Sequence, residues 1–358
     1  MAAEAGILTT PDPRGATKTG VASLIARAWL AASVLGTLAA IGAAALLRPV
    51  HGRAPGLALV LLLFAGSSMH VASTAWLPAV RDVRACARAH PLRFVAAPLL
   101  LVSGGAAVAG LLSESDLNVV LEGFFAWQFF HFTKQNVGVA TLAATSSGVG
   151  ALGSTERRSI VVAGCFGIAA LLARPQLLQL EVPVSSGVVF GLATVGFLAS
   201  VAVGSRAVAR RDRASRPWTF LVGYATALCF SAPVFVFSSP YAAIGGMTIA
   251  HGLQYLVLVG LVASGPAAGP HRWARLVVLV NVAIAGGLAL DVLSDFHDQS
   301  GATRALFGVF LGVTAAHFVV DAGLWRLRDP SSRRFVEGAL PDLVRPRNGS
   351  AHMVADRS

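Results

Sequence analysis

Residues 127–138 read WQFFHFTKQNVG. The segment around them, about 117–144, is apolar enough to cross a bilayer, yet it places His131, Lys134 and Gln135 within two turns of its middle. Ionisable groups at that depth are costly against hydrocarbon and belong on a face turned into the protein. The stretch therefore predicts an all-α, polytopic membrane bundle with a polar site shared by several helices.

The rest of the chain fits that reading. Of 358 residues, 55% are hydrophobic and 13% charged, and the apolar residues come in long runs rather than amphipathic stripes. Runs of roughly 20 apolar residues give ten candidate spans, at about 21–47, 54–80, 94–113, 117–144, 159–173, 183–204, 217–238, 240–264, 274–293 and 303–325. Residues 1–20 are polar and read as a tail, and the run that follows is too long for the core of a signal peptide. Residues 21–328 form one transmembrane domain. Residues 329–358 carry too few apolar side chains to fold alone and read as a solvated, disordered tail.

The net charge of +11 does not call for nucleic acid, because the arginines sit in short connections between spans. With ten spans, one side of the membrane holds Arg81, Arg84, Arg88, Arg157, Arg158, Arg206, Arg210, Arg211 and the arginines from Arg326 onward. The other holds Arg48, Arg53, Arg174 and Arg304 with Glu114, Asp116, Asp295 and Asp298. Both termini are thus expected in the cytoplasm, in a multi-pass protein of a bacterial-type inner membrane. Trp325, Arg326 and Arg328 read as interface anchors at the end of the last span. Cys86, Cys165 and Cys229 are widely spaced and encode neither a disulfide framework nor a zinc ribbon.

Four of the nine histidines fall inside spans: His70 in the second, His131 in the fourth, His251 in the eighth and His317 in the tenth. These helices run in the same direction, and the histidines lie within about 6 Å of one depth, from the helical rise per residue. Each has a polar neighbour three or four residues on, hence on the same helix face: Thr74, Lys134 and Gln135, Gln254, and Asp321. Two polar layers follow, one of imidazoles and one of hydrogen-bonding or charged groups. Lys134 and Asp321, in the same layer, are expected to pair and to handle protons, while Thr74, Gln135 and Gln254 are expected to contact the cofactor.

Neutral imidazole suits iron, copper or zinc, which makes His70, His131, His251 and His317 candidate metal ligands. A lone intramembrane histidine is more often a packing residue; four at one depth shift the balance. The clustered histidine boxes of membrane di-iron enzymes, HExxH, GxSxG and nucleotide-binding loops are all absent from the sequence.

At HVAST (70–74), HFTKQNVG (131–138), HGLQY (251–255) and HFVVDAGLWR (317–326) the chain resembles bacterial multi-span proteins of unassigned function that carry isolated intramembrane histidine motifs. More remotely it resembles the bacteriorhodopsin-related-protein type of β-carotene dioxygenase, in which histidines from several membrane helices hold a non-haem iron. Their HGxxDH-like pattern has no match here, and Asp321, four residues after His317, is the nearest approach. The resemblance implies a fold and a metal, and leaves the substrate open.

The leading expectation is an integral-membrane oxidoreductase or oxygenase using non-haem iron on a lipophilic small molecule or lipid that enters from the bilayer. Zinc or copper in place of iron stays open. The alternatives are a proton-coupled transporter, whose helices should break at GIAALLARP or CFSAPVF, a b-haem or quinone protein with paired histidines, and a structural protein with a hydrogen-bonded core.

Overall fold

The computed structural model describes residues 13–50, 53–180, 186–326 and 328–344, with side chains for all of these except 13–23 and 266–268. Every regular element among the described residues is helical. The main helices are α1 (Pro13–Leu47), α2 (Leu57–Ala79), α3 (Leu92–Leu111), α4 (Glu114–Ser146), α5 (Ser154–Leu172), α6 (Gly187–Ala209), α7 (Trp218–Leu228), α8 (Tyr241–Ser264), α9 (Arg272–Ser294), α10 (Gly301–Leu324) and α11 (Pro330–Ala339). Among the described residues, seven of them, α1, α2, α3, α6, α8, α9 and α10, are long and apolar enough to cross a membrane. The chain is a multi-pass membrane protein.

The other three expected spans are helical but fall outside that set for local reasons. Helix α4 has 33 residues, yet Glu114, Asp116, Glu122 and Lys134 lie along it. Helix α5 has 19 residues and opens with the polar run STERR. Helix α7 stops at Leu228, and the chain resumes as a short helix only at Ala232–Val236.

Burial sorts the helices into centre and rim. In the most apolar window of α8, 67% of residues are buried, against 6% in α3, whose Leu99 and Leu100 point outward. Exposed leucine on the rim is what a lipid-facing helix presents.

At the centre, α2 and α8 touch backbone to backbone. A Cβ on Gly66 would lie 2.3 Å from the Ile249 Cα, and one on Gly252 would lie 2.3 Å from the Gly66 carbonyl oxygen. Small residues permit such approaches between membrane helices, and this one sets the spacing of His70 and His251, which follow Gly66 by one turn and precede Gly252 by one residue. Just before His70 the helix widens into a π turn over Ala65–Met69, and after Ser73 it tightens into a 3-10 stretch, Thr74–Ala79, that contains Pro78. Single π turns of this kind recur at functional sites.

The C-terminal segment departs from the expectation of a disordered tail. Asp329 caps α11 by accepting from the Ser331 and Ser332 amides at 2.9 and 3.2 Å, and Pro330 stands in its first turn. Ser332, Phe335, Val336 and Ala339 are buried at helical spacing, with Phe335 against Trp325. Few apolar residues suffice because they share one face. The Ser331 hydroxyl, with the Ser332 amide, holds the Asp329 carboxyl at about 2, and His90 sits 3.0 Å from it. At the other end, residues 1–12 of the expected N-terminal tail lie outside the described residues, as do 345–358 of the C-terminal one, while residues 13–20 already belong to α1.

Candidate metal centre

Helices α2, α4, α8 and α10 bring the four intramembrane histidines together. All four are buried: His70 and His317 are 2% exposed, His131 5% and His251 0%. Their ring centroids form a closed quadrilateral, with His70–His251 and His70–His317 at 5.0 Å, His131–His251 at 5.1 Å and His131–His317 at 5.3 Å. Each pair meets edge to face. His70 and His131 occupy opposite corners.

One ligand atom from each of His70, His251 and His317 lies within 4.8 Å of the other two. Nitrogens bound to one ion at roughly 2.1 Å stand at most about 4.2 Å apart, so a side-chain adjustment of under about 1 Å would let the three share an ion. His131 completes the quadrilateral from outside this triad. Its ring stacks on Phe318 at 4.6 Å and 24°, and its Nε2 faces Asp321 Oδ2 at 3.6 Å.

The hydrogen-bond state of these rings is unusual for a packed interior. Both nitrogens of His70, both of His251, Nε2 of His131 and Nε2 of His317 are buried and make no hydrogen bond among the described residues. The Gly66 and Ser67 carbonyls lie alongside the His70 ring without reaching bonding geometry. Buried polar atoms are nearly always bonded, and each one left unpaired costs about 1–3 kcal/mol. Rings in that condition, His70, His251 and His317 among them, could hold a metal ion.

The neighbours fix ring orientation. Thr74 Oγ1 is 2.6 Å from His317 Nδ1, which leaves Nε2 of that ring as the free atom. Thr74 also meets the Tyr255 hydroxyl at 3.3 Å, and the Tyr255 ring packs edge-on against His317 at 5.1 Å. The His251 ring stacks on Phe132 at 4.0 Å. Asp321 Oδ1 accepts a hydrogen bond from the Trp325 indole, which orients the carboxylate toward His131.

Of the second-layer residues expected from the sequence, Thr74 and Asp321 touch the histidines and Lys134 does not. Lys134 is exposed and forms no ion pair with Asp321, whose partners are His131 and Trp325. The difference has a geometric cause: the buried face of α4 runs from His131 through Phe132, Thr133 and Asn136, and Lys134, about 60° from His131 on the opposite side, falls outside it. Gln135 and Gln254 are inside but bond to each other and to the frame. Gln135 Nε2 donates to Gln254 Oε1 and to the His251 carbonyl, both at 3.1 Å, and Gln254 Nε2 donates to Thr37 Oγ1 at 2.8 Å.

Trp325 was not singled out from the sequence as part of the site; expected as an interface anchor, it stands four residues after Asp321 and eight after His317. Tyr255, an aromatic of the HGLQY stretch that the sequence places beside the site, is 1% exposed and stands four residues after His251, the offset of Asp321 from His317. Extending the His317 stripe by one more turn would have found Trp325.

No family model, curated protein or solved structure matches the chain.

Proposed function

We propose that the protein is a membrane-embedded metalloenzyme, an oxidoreductase that uses histidine-bound non-haem iron on a lipophilic small molecule or lipid. The observation that carries this reading is the convergence of His70, His251 and His317 ligand atoms within 4.8 Å while five of their six nitrogens, all but the Thr74-bound Nδ1 of His317, make no hydrogen bond among the described residues. Neutral nitrogen donors suit iron among first-row metals, and they leave a divalent ion its full charge. Bound iron would supply redox chemistry with dioxygen. His70, His251 and His317 would hold it, with His131 as a fourth donor or as the group that passes a proton to Asp321. Thr74 would select the ligating nitrogen of His317, since a ligand histidine is usually fixed through its other nitrogen. Together with the arginine asymmetry, this reading includes ten crossings, cytoplasmic termini and a bacterial-type inner membrane.

A haem fits less well, because adjacent rings about 5 Å apart leave no slab for a macrocycle between them. The transporter reading has one observation in its favour, the interruption of α7 between Leu228 and Ala232. That break packs on α5, where Ser231 meets Gly167, while α4, α8 and α10 run unbroken through their histidines.

Metal analysis and an optical spectrum of the detergent-purified protein test the proposal in one sample. One non-haem metal per chain is the expected result. A haem absorption band would move the assignment to electron transfer, and folded protein that takes up no metal would leave the transporter reading ahead.

A further inference from the structure

A cavity of about 730 Å³ leads to His70, and the side from which it opens is set by its lining. Its rim comes from four connections on the face opposite the arginine-rich loops, through Glu114, Gln179, Pro240 and Asp298. Its floor is His70, Val71 and Phe318, and no residue beyond them toward the arginine-rich face lines it. From Glu114 at the rim to Gln128 near the floor, α4 rises about 20 Å. The cavity thus reaches the His70 imidazole, one corner of the quadrilateral, from the outer face, where the sequence suggests entry sideways from the bilayer.

Three zones of different chemistry line it. The walls are apolar and aromatic, with Leu121, Phe124, Phe125, Phe307 and Phe310. At the floor, the hydroxyls of Ser67, Ser68 and Thr248 make no hydrogen bond among the described residues and stand beside His70, which is 2% exposed with both nitrogens unpartnered. The mouth is acidic. Glu114 and Asp291 are exposed and form no ion pair among the described residues, and Asp298 faces His297 at 3.2 Å. The one arginine there is already engaged: Arg304 donates to the Ala109 and Leu112 carbonyls and is 8% exposed. A bare metal ion would match the mouth and lose its hydration against the phenylalanine walls. A fatty acid would match the walls and be repelled at the mouth.

We propose that this cavity binds a single-chain amphiphile with a cationic head group, the head between Glu114 and Asp291 and the chain running past Phe124 to end at His70 and Phe318. The volume is that of a site for one lipid-sized or drug-sized molecule, and an apolar chain with a charged end matches the order of the zones. As a substrate class it rests on the metalloenzyme reading; as a binding site it stands on the cavity alone.

The test is photolabelling of the full-length, metal-assayed protein in phosphatidylcholine vesicles by a hexadecylamine that carries a diazirine at the far end of its chain. Labels should map to the floor, around Ser68, Thr248 and Phe318, and hexadecyltrimethylammonium should compete while palmitate does not. The double variant Glu114→Gln with Asp291→Asn should label roughly tenfold less, the size expected for two exposed charge pairs. Leu121→Trp, which fills the cavity midway, should abolish floor labelling and keep its metal. Labelling confined to the lipid-facing rim, equal competition by palmitate, or no change in the double variant would each overturn the proposal. Floor labelling of a protein that never binds metal would retain the site and remove the enzyme reading, whereas metal without floor labelling would do the reverse.

Discussion

Two polar tiers lie one turn apart on the same central helices, and they are in opposite states. In the amide tier, Gln135 bonds to Gln254 and to the His251 carbonyl, Gln254 bonds to Thr37, and Thr37 donates to the Ser33 carbonyl at 2.7 Å. Gln135 Oε1 and the Ser33 hydroxyl are left over. In the imidazole tier a network of that kind is absent: the one side-chain hydrogen bond of the four rings among the described residues is that of His317 to Thr74. Polar groups in a membrane interior are costly unless paired. The amide tier is therefore a cross-brace that joins α1, α4 and α8. The imidazole tier has the composition of a site and the geometry of a ligand cage.

The contrast can be broken most sharply by deleting a ring. His251→Ala, and likewise His317→Ala, should remove all bound metal, measured as metal per chain by mass spectrometry, while size-exclusion profiles stay monodisperse. Full occupancy in either variant would place the metal elsewhere.

A smaller effect is expected from the groups that orient the rings. Thr74→Val and Asp321→Asn should each weaken metal binding about 10–100-fold, the usual range for residues that support a ligand, as read by competition with a chelator of known affinity. Unchanged affinity in both would show that the rings are positioned by packing alone.

How far the sequence foresaw this arrangement depends on what each residue contributes. The four histidines and Thr74 were legible because a helix repeats its faces every three to four residues and the spans fix depth. Their convergence was legible as a common height, and the structure supplies the lateral closeness through Gly66 and Gly252. The place of Lys134 was not legible because the spacing from His131 does not tell to which side of the histidine the buried face extends; it turns toward Phe132, Thr133 and Asn136 and leaves Lys134 outside. Helix α11 was missed because composition hides spacing: its burial rests on four small or apolar residues of one face. The outer cavity had no sequence signature, since its lining is drawn from six separate stretches whose proximity only the tertiary structure creates.

The amide tier makes a prediction of the opposite kind. Gln254→Leu should leave metal content unchanged and lower stability by about 1–2 kcal/mol, since Gln135 and Thr37 lose a buried partner, seen as a fall in unfolding temperature in detergent. Loss of metal with no loss of stability would reverse the roles assigned to the tiers. Smallest of all is Lys134→Met. The side chain is exposed, and its replacement should move stability by under about 0.5 kcal/mol and metal content not at all.

The central claim is that the imidazole tier holds a metal, and X-ray absorption at the metal edge of the purified protein tests it most directly. The account predicts a first shell of three or four imidazole nitrogens at roughly 2.0–2.2 Å with no sulfur, lost together in the His70→Ala, His251→Ala, His317→Ala triple variant. A sulfur shell, a porphyrin signature, or an unchanged spectrum in the triple variant would contradict it.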